Sequence, residues 1–451
     1  MKRIHTLLLS ATVAAGSFLN AVALTGSWRG ELSLGMMKLP LVFNFSESPE
    51  GKVSCTLDSP NQGAKGIPAE VALCSADSVA VDCTLIGATY RGRVSASQIS
   101  GTFSQSGQSF PLTLAPDEDL SVRRPQTPVP PFPYLVKDTV FTSADGTLLS
   151  GTLVMPEKRD DRPLTGVVFV SGSGAQNRDE ELFEHRPFAV MADRLAREGI
   201  ASFRYDDRGT ASSQGNFSSS TTFTFRDDAS AALRFLHGIE GIGKAGIVGH
   251  SEGGTIAFML AADGEPDFIV SLAGMASPAI NTLVAQNRRG LTAAGIAGST
   301  LDDSLRLVRL LLEANASRYV SKDSKPVDVD AVASQAGIKL PPEIMSMFRQ
   351  NAEATSTEWF GAFLNIDPAD YLAKVKCPLL AINGTLDTQV DAAENLGIIS
   401  TLVPEAEVLR MDGLNHLMQH ARTGYVSEYG EIRETVAPEV LDALTAFCKA
   451  R

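Results

Sequence analysis

A chain of 451 residues, 44% of them apolar and 20% charged, has material for more than one folded core. Its net charge of −13 argues against a polyanion such as nucleic acid as partner, and serves solubility instead. Beyond the N-terminus no apolar run is long enough to cross a membrane, so no membrane span is expected in the mature chain.

Residues 1–23 read as a signal peptide. Lys2 and Arg3 precede an apolar, Ala-rich stretch over 7–18, and Ala21-Val22-Ala23 supplies an A-x-A cleavage site. The mature chain is then expected to start at Leu24 and to be exported, to the periplasm or beyond the cell. Residues 24–115 have an all-β pattern. Residues 28–34 alternate, 41–45 alternate in part, and 79–85 and 99–103 follow, separated by Gly, Ser and Asp turns. Short strands at this spacing suggest a small sandwich or a partly closed barrel. Cys55, Cys74 and Cys83 fall here; with Cys377 and Cys448 they make five, an odd count that fits no metal-site spacing. Residues 116–136 carry Pro116, Pro125, Pro128, Pro130, Pro131 and Pro133, and read as an extended linker.

From 137 to 451 strand and helix patterns alternate, which predicts an α/β class with a mostly parallel sheet flanked by helices. A hairpin with an Asp145-Gly146 turn opens it. Apolar strands follow at 167–170, 200–205, 245–248, 268–272 and 379–382, with the last at 407–411. Helices are expected at 188–197, 227–236 and 438–449. Between about 276 and 370 the alternation stops. Amphipathic helices at 301–314 and 342–352 suggest a helical cap over the site, with an accessory packed layer as the plainer alternative.

Chemistry centres on Gly249-His250-Ser251-Glu252-Gly253-Gly254. It follows the apolar strand 245–248 and precedes the apolar helical stretch 255–262, the strand–turn–helix setting that makes G-x-S-x-G a nucleophile elbow. A serine hydroxyl needs a base, usually His held by a carboxylate. Of six histidines, His5 lies in the signal segment, His250 adjoins the nucleophile and His237 ends a helix before it. His185 lies upstream, whereas the Ser…Asp/Glu…His order wants the base downstream. His416, in a loop just past the last strand, is therefore favoured over His420, expected on a following helix. Asp387, straight after the strand 379–382, is the acid; Asp391 and Asp412 are its rivals. The oxyanion of acyl transfer needs two N–H donors: the backbone of Glu252, after the nucleophile, and of Ser173, in the loop after the strand 167–170.

Five stretches carry a family resemblance: Ser171-Gly172-Ser173-Gly174-Ala175-Gln176-Asn177-Arg178-Asp179-Glu180, Tyr205-Asp206-Asp207-Arg208-Gly209, the elbow, Asn383-Gly384-Thr385-Leu386-Asp387-Thr388-Gln389-Val390, and Leu414-Asn415-His416-Leu417-Met418-Gln419. The chain from Lys137 onward resembles the α/β-hydrolase superfamily, in the bacterial branch of exported carboxylesterases and serine aminopeptidase-like hydrolases that share a GHSEGG elbow. The resemblance implies triad roles for Ser251, Asp387 and His416, the residues reached above. The expected activity is that of a carboxylesterase acting on a small-molecule ester, with short acyl groups favoured by the apolar cap residues Met345, Met347, Phe348, Trp359, Phe360 and Phe363. The rival is a serine aminopeptidase or related peptidase with the same triad. It would need a carboxylate for the substrate amine, for which Asp179, Glu180 and Glu181 are the candidates. No cofactor or metal is implied.

Overall fold

The computed structural model describes residues 24–451 apart from 35–36, 50, 63, 96, 118–122, 158–161, 324 and 353–354. The expected signal segment, 1–23, lies outside the described residues. The chain divides into two compact units, one ending at Glu118 and one running from Asp119 to Arg451.

The first unit is a closed barrel of antiparallel strands: β1 (Gly26–Leu34), β2 (Met37–Glu47), β3 (Val53–Ser59), β4 (Ala64–Cys74), β5 (Ser78–Cys83), β6 (Ala88–Val94), β7 (Ile99–Gln105) and β8 (Gln108–Pro116). Each strand pairs with the next in sequence, and β1 closes onto β8 through Trp28–Pro116 and Arg29–Ala115. Closure leaves no free edge to recruit another strand. Phe43, Leu57, Tyr90, Ile99 and Leu112 fill the interior. Sequence patterning predicts half of these strands. It misses β3, β4, β6 and β8, although β3 sets Val53, Cys55 and Leu57 against polar neighbours; in β6, Gly92 interrupts the apolar face. All five cysteines are free, and burial pushes the Cys55 thiol up to about 12.

The second unit holds an eight-stranded mixed sheet. Its strands are β9 (Leu135–Thr142), β10 (Leu148–Met155), β11 (Leu164–Val170), β12 (Ala201–Tyr205), β13 (Ile242–His250), β14 (Ile269–Leu272), β15 (Leu379–Gly384) and β16 (Glu407–Met411). They lie in the order β16-β15-β14-β13-β11-β12-β10-β9, antiparallel where β10 meets β9 and β12, and parallel elsewhere. The central strands are buried on both faces, which is why they read as unbroken apolar runs and not as alternation.

In chain order the helices are α1 (Pro187–Arg197), α2 (Thr222–His237), α3 (Glu252–Ala262), α4 (Ala279–Ala293), α5 (Gly298–Ser321), α6 (Val329–Gln335), α7 (Pro342–Ala352), α8 (Glu358–Leu364), α9 (Ala369–Leu372), α10 (Ala392–Leu402) and α11 (Pro438–Lys449). One face of the sheet packs on α2, α3 and α10, the other on α1 and α11. The insertion after β14 is α4–α9, with a core of its own around Leu307, Val308, Leu312, Met345 and Phe348. The chain passes from β11 out to β12 and back across to β13. The C-terminal ends of β11 and β13 therefore lie side by side at a topological switch point, where ligands bind in open α/β sheets.

The Pro-rich stretch is not a free spacer throughout its length. Arg124 is buried, and its guanidinium donates to the carbonyls of Phe183, Gly430 and Ile432 at 2.8–3.2 Å. Gln126 accepts from the N–H groups of Thr435 and Val436. Replacing the buried Arg124 by Ala leaves three carbonyls short of a donor, which is expected to cost about 2–4 kcal/mol of stability. Urea unfolding checks this; a midpoint equal to wild type would show these bonds to be replaced by water at no cost.

Candidate active site

β13 ends at His250 and α3 starts at Glu252, so the turn between them is Ser251 alone. Its backbone sits at φ 53°, ψ −117°, a region that costs an L-residue on the order of 1–3 kcal/mol. Strand and helix cross in contact there. A Cβ on Gly249 would come within 2.1 Å of the Gly253 carbonyl oxygen, and one on Gly253 within 2.1 Å of the Val170 oxygen. Glycine at both positions is what lets the serine stand out of the turn.

Asp387 follows β15. Its Oδ1 accepts from the N–H groups of Gln389 (2.8 Å) and Val390 (2.9 Å), which aims Oδ2 at His416 Nδ1, 2.7 Å away. Both side chains are buried. Because a carboxylate accepts, Nδ1 carries a proton, and in the neutral ring Nε2 is then the lone-pair nitrogen. The His416 loop is shaped by Asn415, whose Oδ1 accepts from the N–H groups of Leu417 and Gln419. Among the described residues Ser251 Oγ makes no hydrogen bond. Nucleophile–base contacts often tighten only on substrate binding.

The rival residues lie elsewhere. His420 is not on a helix: it pairs with Leu414 in an isolated bridge, and its exposed ring sits between Glu434 (2.9 Å) and Glu439 (3.0 Å). Helix formation fails there because the loop doubles back on itself at Met418, whose φ is 62°. Asp391 caps α10 by accepting from Glu394 N–H and is ion-paired with Arg289. Asp412 accepts from the Thr385 hydroxyl. His185 is buried between the Thr435 hydroxyl and the Tyr429 carbonyl.

The loop after β11 lies against Ser251: a Cβ on Gly172 would be 3.1 Å from Ser251 Cβ. Among the described residues the backbone N–H groups of Ser173 and Glu252 donate to no protein acceptor. A hydroxyl on a strained turn, an imidazole with an available lone pair and two open N–H donors together form a set suited to acyl transfer.

A family model of the alpha/beta hydrolase fold matches residues 167–423. The chain belongs to the α/β-hydrolase family. Esterase EstD of Thermotoga maritima is 23% identical over 290 residues, which cover 63% of this chain and 62% of that protein, under two thirds of its length. Among solved structures, the esterase Pf2001 of Pyrococcus furiosus is 18% identical over 70% of this chain and 91% of its own, with a TM-score of 0.42. The hypothetical protein PA2218 of Pseudomonas aeruginosa is 16% identical over 72% and 96%, with a TM-score of 0.44.

Within this α/β-hydrolase unit, sequence reasoning misses the buried acids around the oxyanion loop. Ser171 Oγ donates to Asp207 (3.0 Å), and Gly172 N–H donates to Glu180 Oε1 (2.6 Å). Glu252 accepts from the Thr222 hydroxyl and from the Trp359 indole N–H (3.0 Å). Burial raises the Glu252 carboxyl above its ordinary range, opposed by hydrogen bonding from Thr222, Trp359 and Ser173. Burial also pushes Asp207 well up, helped by the charges of Glu252 and Glu180. Trp359 comes from α8, so the helical insertion touches the residue next to the nucleophile. Nothing local in the sequence signals that contact, which spans more than a hundred residues of chain.

Of the six apolar insertion residues, Met345 and Phe348 build the insertion's own core, and Met347 is partly exposed. Met347, Phe348 and Phe360 border a mostly apolar cavity of about 550 Å³ between α4, α5, α7 and α8, which is not bordered by Ser251, Asp387 or His416. Trp359 and Phe363 instead pack towards Met275 and Ala279, beside the elbow.

Proposed function

We propose that the protein is an exported serine hydrolase that cleaves carboxylic esters, with Ser251 as nucleophile, His416 as base and Asp387 as the group that orients it. The observation that carries this reading is the buried His416–Asp387 pair at 2.7 Å, at the same sheet edge as the elbow serine. Ser251 Oγ attacks the ester carbonyl while His416 Nε2 takes its proton. The N–H groups of Ser173 and Glu252 receive the oxyanion. The proton then passes from Nε2 to the departing alkoxide oxygen, leaving an acyl-Ser251. Water, deprotonated by the same Nε2, attacks the acyl carbon, and the bond to Ser251 Oγ breaks as Oγ takes that proton back from Nε2, which frees the carboxylic acid and the serine hydroxyl. The similarity to an esterase of Thermotoga maritima supports the ester class, and the GHSEGG elbow supports the exported carboxylesterase branch.

A specific observation weighs against the aminopeptidase reading. The carboxylates that would hold a substrate amine are already engaged: Asp179 with Arg204 at 2.7 Å, Glu180 with His250 at 2.9 Å and Glu181 with Arg186 at 3.2 Å. Export rests on the basic, apolar and A-x-A pattern of residues 1–23. Protein recovered from the periplasm or medium is expected to begin at Leu24, and N-terminal sequencing that finds the first residues intact would remove this part of the reading.

Ser251→Ala is expected to abolish turnover and fluorophosphonate labelling while the protein stays folded; label persisting on this variant would move the nucleophile elsewhere. His416→Ala should lower kcat by several orders of magnitude, and Asp387→Asn should also be severe because it leaves the imidazole in the wrong tautomer. His420→Ala should be mild, and a greater loss there than at His416 would reverse the assignment.

Acyl preference follows from Trp359 and Phe363. Two aromatic side chains beside the elbow offer a short apolar wall, against which each buried methylene contributes about 0.8 kcal/mol until the space is filled. Among aryl esters of rising acyl length, kcat/KM is expected to peak at short chains and to exceed that for aminoacyl anilides. Faster turnover of an aminoacyl anilide than of every simple ester would favour the peptidase reading.

A further inference from the structure

One oxygen of Glu180 stands where three parts of the site meet. Its Oε1 accepts from Gly172 N–H at 2.6 Å and lies 2.9 Å from His250 Nδ1. The other ring nitrogen of His250, Nε2, lies 2.9 Å from the backbone carbonyl oxygen of His416. Gly172 precedes Ser173, the loop donor of the oxyanion site, and His250 precedes Ser251. The carbonyl belongs to the base itself. Glu180 and His250 are both buried, and Glu180 holds its backbone at φ 51° to reach this position. Neither residue has a part in the proton transfers described above.

The ring of His250 faces an acceptor on each side, a carboxylate and a carbonyl. A neutral imidazole has one N–H and can satisfy only one of them, whereas an imidazolium satisfies both. Burial opposes that charge, but the carboxylate of Glu180 and the His416 carbonyl outweigh it and hold the His250 pKa above its ordinary value. The pair thus forms a rigid bridge with a donor at every contact.

We infer that Glu180 is a positioning residue for the proposed reaction, joining the oxyanion loop at Gly172 to the His416 loop through the doubly donating ring of His250. The inference rests on the triad reading, since the loops matter only if Ser173 and His416 act on a substrate bound at Ser251. A misplacement of about 1 Å in such a site costs on the order of 100-fold in rate. A stable fold with a loosened bridge should therefore show its loss in the transition state and not in ground-state binding.

Glu180→Gln tests this. The amide keeps the size of the carboxylate and an oxygen that can still accept from Gly172, but it removes the negative charge facing His250, and a neutral His250 ring has one N–H for its two acceptors, so one arm of the bridge is lost. On a short-chain aryl ester, kcat is expected to fall about 10- to 100-fold with KM within threefold of wild type. Affinity for an alkyl boronic acid, which forms a tetrahedral adduct at the nucleophile, should fall by a similar factor. The double variant with His250→Gln should be no worse than the poorer single variant, because both break one bridge. A folded Glu180→Gln with kcat within twofold of wild type would overturn the inference. So would a fall in kcat without loss of boronate affinity, or additive single effects. If Glu180→Gln does not fold, His250→Gln breaks the same bridge from its other side and is read by the same kcat, KM and boronate measurements. Fluorophosphonate labelling of the wild type separates the two levels: absence of label at Ser251 removes the triad reading, whereas normal label with an unchanged Glu180→Gln removes the inference alone.

Discussion

The site depends on a steric contact, the crossing of β13 over the start of α3. Gly249 meets the Gly253 carbonyl, Gly253 meets the Val170 carbonyl, and Gly254 lies against Gly274. Three chain segments are therefore stacked at one point, with only the small Ser271 side chain beside the Gly254–Gly274 contact. The end of β11, the nucleophile turn and the turn after β14 cannot move independently. The strain at Ser251 is held by neighbours that stabilise the turn from both sides. Its N–H donates to Leu272 on β14, and all but the last residue of α3 are buried. A methyl group added at Gly249 or Gly253 would push the end of β11 and the Ser251 turn apart.

On that frame, the state of each buried histidine is set by what faces its two nitrogens. His185 faces one carbonyl and one hydroxyl, and the hydroxyl can donate, so the neutral ring satisfies both; burial lowers its pKa to about 4. His250 faces two acceptors, and although burial opposes a charge there, the Glu180 carboxylate holds its pKa above the ordinary value. His416 donates its Nδ1–H to Asp387, which makes Nε2 the lone-pair nitrogen of the neutral ring. Three imidazoles in one domain thus hold three different roles without any difference in residue type. His420, exposed between two glutamates, has its pKa raised despite some burial, as suits a surface ion pair.

What was legible in the sequence follows the range of the interactions. Apolar runs marked β11, β13, β14 and β15 because strands covered on both faces need no alternation. Asp387 and His416 could be placed because each follows a strand of the same sheet, and strand ends share an edge. Helix bounds at 342–352 and 438–449 coincide with α7 and α11, where Pro at the first turn is a local signal. The contacts that escaped are those with no local signal. Arg124 is a buried arginine in a stretch whose composition says spacer, and only the carbonyls of residues more than fifty positions away explain it. Glu180 sits among Asp179 and Glu181 in what reads as a charged turn, yet the three point to three different partners. Barrel closure in the first unit escaped because it rests on β1 pairing with β8, at the far end of the unit, which no local pattern marks.

The acids around the oxyanion loop raise an energetic question of their own. Asp207, Glu180 and Glu252 are all buried, and a buried carboxylate is costly unless donors surround it. Apolar residues of similar volume would pack as well and remove that cost. They could not, however, grip a backbone N–H or a hydroxyl, and the loop they surround has almost no side chains to pack. Ser171-Gly172-Ser173-Gly174 offers small groups and main chain only, because anything larger would fill the space beside Ser251. A loop with no apolar surface can be held only by hydrogen bonds. Those bonds must come from acceptors, because the N–H of Ser173 has to stay unused. Carboxylates placed behind the loop meet both demands: they fix Ser171 and Gly172 and leave the N–H of Ser173 without a protein acceptor among the described residues.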